Sequence, residues 1–275
     1  MNELVSTNWL HKNLKLKNLV ILDCSWYMPG EKNNAHKDYS KKHIMNSYFF
    51  DINKISDNRS KLPHMLPDKD FFIKKTNNFN IHKNTRIIVY SKNNIMGPSR
   101  VWWMFKYFGF RNISVLNGGM NKWLEEKKPI MSKETKFIKS SFNFKENENL
   151  LTKKKYIVNN YLNKKILILD ARSQSRFKGI EKEPRKGLKR GHIPKSRNIF
   201  WKDLTKNGDT LEKDIIRKKF SEYKLDNKKI ILSCGSGISA CVLSLSLKYA
   251  LGIKASVYDG SWAEWGGSKK LSVEK

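Results

Sequence analysis

The stretch SCGSGISAC, residues 233–241, puts a cysteine straight after the apolar run KKIIL and inside a loop of glycine and serine. Cys234 is followed by Gly235, Ser236, Gly237, Ile238 and Ser239 before the apolar sequence ACVLSLSLKYAL begins. Glycines allow successive backbone N–H groups to turn inward. A helix opening at that point adds partial positive charge. Such a cradle favours thiolate over thiol, and the chemistry it suits is nucleophilic covalent catalysis. A cysteine-dependent phosphatase uses a similar cradle, but it needs an arginine six residues after the cysteine to clamp phosphoryl oxygens. That position is Ala240 here, so phosphoryl transfer is disfavoured. Cys241, inside the helical stretch, and Cys24, after the run VILD, read as buried structural thiols.

The elements that must hold this loop recur twice along the chain. LVILDCSW, HIMNS, TRIIVYSKNN and ISVLNGGMNKW in the first half answer KILILDARS, HIPKS, KKIILSCGSG and ASVYDGSWAEW in the second. Ser91 to Trp123 is 32 residues, and Cys234 to Trp265 is 31. Two similar units are the economical reading: residues 1–130, a Lys-, Asn- and Glu-rich linker over 131–155, and residues 156–275. VILD, RIIVY and ISVL are continuous apolar runs, as expected of a parallel sheet covered on both faces. GPSRVWWMFKYFGF repeats its apolar residues at helix spacing and ends on Gly109. Each half is therefore α/β, with a mainly parallel sheet flanked by helices. In such sheets ligands sit beyond the carboxyl ends of the strands, where Cys234 falls. The matching residue of the first half is Ser91, so only the second half carries the nucleophile. His43 and His192 fall at equivalent places in both halves, as do Asp23 and Asp170, and this favours structural roles for all four. Core packing is the expected role of Trp262 and Trp265.

The 275 residues include 55 Lys plus Arg against 25 Asp plus Glu, a formal net charge of +30. The cations are spread along the whole chain instead of forming one block interleaved with aromatics. A nucleic-acid partner is therefore not expected. Three cysteines without a Cys-x-x-Cys pair argue against a disulfide scaffold and a structural zinc site and fit a reducing compartment. No signal-peptide pattern opens the chain. The most apolar stretch, ACVLSLSLKYALG, carries Lys248 and is too short to span a bilayer. A soluble cytoplasmic protein is expected.

The motifs LDCSWYMPG, PSRVWWMFKYFG, LDARSQSRFKG, EPRKGLKRGHIP and CGSGISA resemble those of the tandem-rhodanese sulfurtransferases, within them most closely the branch that uses 3-mercaptopyruvate. The likeness runs from LVSTNWL at residue 4 to DGSWAEW at 265, and a start that early leaves no room for a presequence. It implies two tandem rhodanese-like domains, the second catalytic. It also implies a small-molecule sulfur donor and a persulfide on Cys234. The acceptor would be a thiol, such as thioredoxin or a small thiol, or cyanide. No cofactor and no metal are implied. Thiosulfate-preferring members resemble each other in cationic loop residues, whereas Gly235, Ser236 and Gly237 match the neutral loop of the mercaptopyruvate branch.

The same resemblance makes Arg176, in SRFKG, and Arg185, in EPRKG, the substrate-binding arginines. A planar α-keto carboxylate suits the paired donors of guanidinium. Gly235, Gly237, Ile238 and Ser239 complete the substrate-binding set. Arg172, Arg190 and Arg197 have no such match and read as structural or surface residues. Ser236 and His64, in LPHMLP, match a serine–histidine–aspartate proton relay of the branch. The pattern departs at its acidic member, since Asn53 stands eleven positions before the histidine. Asp51 and Asp57 are the nearest carboxylates, and Asn cannot stabilise an imidazolium as Asp does. Alternatives that the residues leave open are a thiosulfate:cyanide sulfurtransferase and a non-catalytic rhodanese-fold binding scaffold.

Overall fold

The computed structural model describes residues 2–140, 142–143, 145–206 and 208–275. The chain forms two compact units: Met1–Asp57, Pro67–Asn147 and Asn207–Thr210 in one, and Asn58–Leu66, Glu148–Lys206 and Leu211–Lys275 in the other. The stretch expected as a linker is thus divided. Residues 131–147 pack with the first unit, and those from Glu148 onward with the second. Its charge-rich sequence conceals a 3-10 turn, Glu148–Leu150, and an edge strand, Leu151–Thr152. A second displacement is that Asn58–Leu66, from the first half of the sequence, belongs to the second unit.

The first unit holds a five-stranded sheet in the order Leu4–Val5, Ile113–Leu116, Arg86–Tyr90, Leu19–Asp23, Ser47–Phe49, all parallel. The second holds Leu151–Thr152, Ser256–Tyr258, Lys229–Ser233, Ile166–Asp170, Arg197–Asn198, again all parallel. The orders correspond strand for strand, so the sequence repeat is a repeat of topology. Register repeats as well: Asp23 lies opposite Tyr90, and Asp170 opposite Ser233. Each is an α/β unit with a parallel sheet flanked by helices. The central strands are continuously apolar because four of five residues in each are buried.

The cores match in kind. Ile21, Ile44, Ile88 and Trp123 gather in the first, and Ile168, Ile193, Ile231 and Trp265 in the second. The helix expected over residues 97–110 runs Met96–Tyr107, and Gly109 leaves it at φ +88, a conformation that costs glycine little. His43 is buried, stacks on Tyr39 and hydrogen-bonds the Tyr39 carbonyl through Nδ1. His192 stacks on Phe177 and bonds the Phe177 carbonyl in the same way. Among the described residues, no helix is long and apolar enough to cross a membrane.

Candidate active site

The second sheet ends its middle strand, Lys229–Ser233, directly at Cys234. The loop 235–239 then leads into the helix Ala240–Leu251, which is buried along most of its length. Gly237 takes φ +75, the left-handed turn that lets the chain reverse into the helix. Among the described residues, the N–H groups of Gly235, Ser236, Ile238 and Ser239 donate to no other group of the protein. They stand at the N-terminus of a twelve-residue helix, whose Cys241 and Val242 N–H groups are taken by the Ile238 and Ser239 carbonyls. Cys234 itself is buried, as are Ser236, Gly237 and Ile238. Cys241 faces back into the helix turn and donates from Sγ to the Gly237 carbonyl at 3.2 Å. Cys24 is fully buried in the first unit.

Two guanidinium groups lie over Gly235. A Cβ at that position would meet Arg176 Nη2 at 3.1 Å and Arg185 Nη1 at 4.0 Å, so the glycine leaves space that the cations use. Arg176 is held from behind by Glu183, Nη2 to Oε2 at 2.5 Å and Nε to Oε1 at 3.3 Å. Arg185 has no carboxylate partner among the described residues. Burial pushes its guanidinium down from the ordinary value, and Arg176 pushes the same way, against the pull of Cys234 and Glu183. Arginine stays protonated even so. Arg172 is a buried structural cation. It grips Asp170 through Nε and Nη2, reaches Glu183 with Nη1 at 2.7 Å and lies over the Trp262 ring. Arg190 and Arg197 are exposed.

His64 sits in the segment Asn58–Leu66 of this same unit. Its Nδ1 lies 3.1 Å from Ser236 Oγ, within hydrogen-bond reach. The residue takes φ +59, a left-handed conformation rare for anything but glycine. Asp259, at the end of the Ser256–Tyr258 strand, anchors the segment by accepting the Leu66 N–H at 2.6 Å. Asn53, in the first unit, accepts a hydrogen bond from Trp26 Nε1. Asp51 accepts the N–H groups of Asn53 and Lys54 in a turn.

Two residues at this site were not anticipated. Ser261 Oγ accepts the Cys234 N–H at 3.1 Å, donates to the Tyr258 carbonyl at 2.7 Å and lies 4.0 Å from Cys234 Sγ. It does so at φ +47, where the first half has Gly119 at φ +53. The signal was present in the pair NGGM and DGSW: a serine occupies a place that the other copy fills with glycine. Glu183 is the second, and only its burial separates it from a surface charge.

Residues 6–126 and 138–268 each match the Rhodanese-like domain family. The chain belongs to that family, with its domain in tandem, and it is a sulfurtransferase. It is 34% identical to the 3-mercaptopyruvate sulfurtransferase of Mus musculus, over 95% of this chain and 91% of that protein. It is 35% identical to the thiosulfate sulfurtransferase of Rattus norvegicus, with the same coverage of each. The Escherichia coli protein SseA, a 3-mercaptopyruvate sulfotransferase of rhodanese fold, superposes with a TM-score of 0.87 at 30% identity. That match covers 95% of this chain and 99% of that one.

Proposed function

We propose that the protein moves a sulfane sulfur from 3-mercaptopyruvate to a thiol or to cyanide by way of a persulfide on Cys234. The Cys234 thiolate attacks the sulfur of the donor, and the S–S bond forms as the C–S bond breaks. Its electron pair leaves on pyruvate enolate, which takes a proton to become pyruvate. An acceptor thiolate, from a small thiol or a protein such as thioredoxin, or cyanide, then attacks the outer sulfur and returns Cys234 as thiolate. The transfer is divided into two easier displacements. The N–H groups of Gly235, Ser236, Ile238 and Ser239, unspent among the described residues, favour the anionic sulfur in both states.

The observation that carries this reading is the pair of guanidiniums over Gly235, next to the thiol. Arg176 and Arg185 bind the donor's keto-carboxylate there. Ser236 and His64 move the proton to the enolate. Gly237, Ile238 and Ser239 supply the rest of the anion cradle. The first unit, with Ser91 at the strand end, is non-catalytic in this reading. Three free, buried thiols suit a reducing compartment such as the cytoplasm. Thiosulfate is the second donor, favoured by the likeness to the rat enzyme. Incubation with each donor followed by intact-mass measurement tests the proposal: a gain of one sulfur on the parent protein and none on Cys234→Ser is expected. Loading of the Cys234→Ser protein overturns it.

A further inference from the structure

Five charged side chains adjoin the cysteine loop, and they are unequally paired. Asp170 and Glu183 are buried carboxylates, with side chains 1% and 2% exposed. Arg172 bridges them, gripping Asp170 on one side and Glu183 on the other. Arg172 also donates to the Gly191 carbonyl, so its donors are spent inside the protein. Glu183 then takes Arg176 by Nε and Nη2. The chain of four is neutral, and Arg185 adds one positive charge. Arg176 therefore meets a ligand with only its Nη1 and the outer hydrogen of Nη2, whereas among the described residues no group takes a hydrogen bond from the Arg185 guanidinium.

We infer that Glu183 is a positioning and specificity-determining residue: it turns the end of the Arg176 fork toward Gly235 and cancels its charge, so that the side chains around the Cys234 thiolate present one net cation instead of two and select a monoanionic sulfur donor. The inference rests on the reading of 3-mercaptopyruvate as the preferred donor. 3-Mercaptopyruvate carries one negative charge at neutral pH, and thiosulfate carries two. Coulomb energy scales with the product of charges. A site of one positive charge gives a dianion little gain to set against its larger desolvation cost, while a site of two would favour it strongly. Burial of Glu183 keeps solvent from screening the cancellation.

The test is Glu183→Gln, which keeps the volume and one acceptor but removes the charge. Two ratios are read. One is kcat/KM for thiosulfate over that for 3-mercaptopyruvate, with cyanide as the common acceptor. The other is the rate of Cys234 alkylation by anionic iodoacetate over that by neutral iodoacetamide, which senses charge without turnover. Both ratios should rise, each about tenfold for one added charge at this range. Glu183→Asp keeps the charge but withdraws it by one methylene. It should lower turnover of both donors and leave both ratios within about twofold. A common loss for both donors with an unchanged alkylation ratio reduces Glu183 to a structural role and overturns the inference, as does an equal shift in the Asp variant. If Gln at 183 unfolds the protein, Arg176→Gln removes the opposite charge, and the alkylation ratio must fall about tenfold; no fall overturns the inference. Failure of the parent protein to load sulfur from 3-mercaptopyruvate defeats the donor reading instead, and the alkylation ratios stand apart from that result.

Discussion

His64 Nδ1 and Ser236 Oγ lie 3.1 Å apart although 172 residues separate them in the chain. Both belong to the second unit, where Asp259 ties down the histidine's segment at Leu66. Positive φ in a residue other than glycine marks stored strain, and such strain concentrates at functional positions. A relay to the enolate matters for 3-mercaptopyruvate and not for thiosulfate, whose leaving sulfite is a stable anion. His64→Ala should lower kcat for 3-mercaptopyruvate by about tenfold or more and leave thiosulfate within about threefold. Steady-state kinetics with both donors measure this, and equal losses would remove His64 from proton transfer.

The Cys234 N–H is buried and donates to Ser261. Ser261→Ala leaves that donor unpaired and keeps the left-handed backbone; Ser261→Gly leaves it unpaired and relieves the backbone. Both should slow sulfur transfer to a similar extent. The glycine variant should be the more stable of the two by about 1 kcal/mol, the cost of that conformation for an L-residue. Urea unfolding of the pair gives the difference directly. Ala equal to Gly would show that Ser261 bears no strain.

Burial pushes the Cys24 thiol well up, and the Asp23 charge pushes it further, while the Tyr90 backbone contact only partly opposes this. Cys241 is fully buried within a helix. Alkylation of the native protein at pH 8 should label Cys234 first. Cys24 and Cys241 should react about a hundredfold more slowly, tracking local opening. Peptide mapping after timed quenching reads the three rates. Cys24→Ser and Cys241→Ser should keep most of the activity.

Asp23 carries a shift with the opposite consequence from an ordinary ion-paired carboxylate. Burial raises it above the usual range, and Ser25, Tyr90 and His43 pull it down without cancelling that. The folded chain thus holds the proton more tightly than the unfolded chain. The stability this contributes is complete below the ordinary value of 3.8 and is lost as pH rises through the folded value. Asp23→Asn keeps an acceptor for the Ser25 N–H and removes the titration. Its unfolding free energy should decline less than the parent's between pH 4 and 7, as followed by urea titration at each pH. Parallel curves would contradict the assignment.

Much of this fold is legible from residue pattern. RIIVY and ISVL are strands with the bounds that their apolar runs suggest, because a strand buried on both faces needs no alternation. The left-handed Gly109 marks the end of its helix for an equally local reason. The rest was hidden where structure depends on distant partners. Nothing in LLT distinguishes a two-residue edge strand from its charged surroundings; the partner Val257–Tyr258 makes it one. Glu183 is one acid in a strongly cationic chain, and only Arg172 and Arg176 reveal it as a buried hub. Arg176 and Arg185 stood out by motif alone, since spacing says nothing of what lies over Gly235.

The two sheets share a strand order and very nearly a strand. LVILD at 19–23 and ILILD at 166–170 each lie between parallel neighbours, with a carboxylate at the same end. Either could enter the other's slot with its apolar side chains on matching faces. Such exchange is a misfolding route typical of duplicated domains. Synthesis from the N-terminus disfavours it, because the first sheet has time to close before the second copy of the strand emerges. A full-length chain diluted from denaturant has no such head start. Its refolding should stall partly in strand-exchanged monomers, with a lost fraction that does not depend on protein concentration.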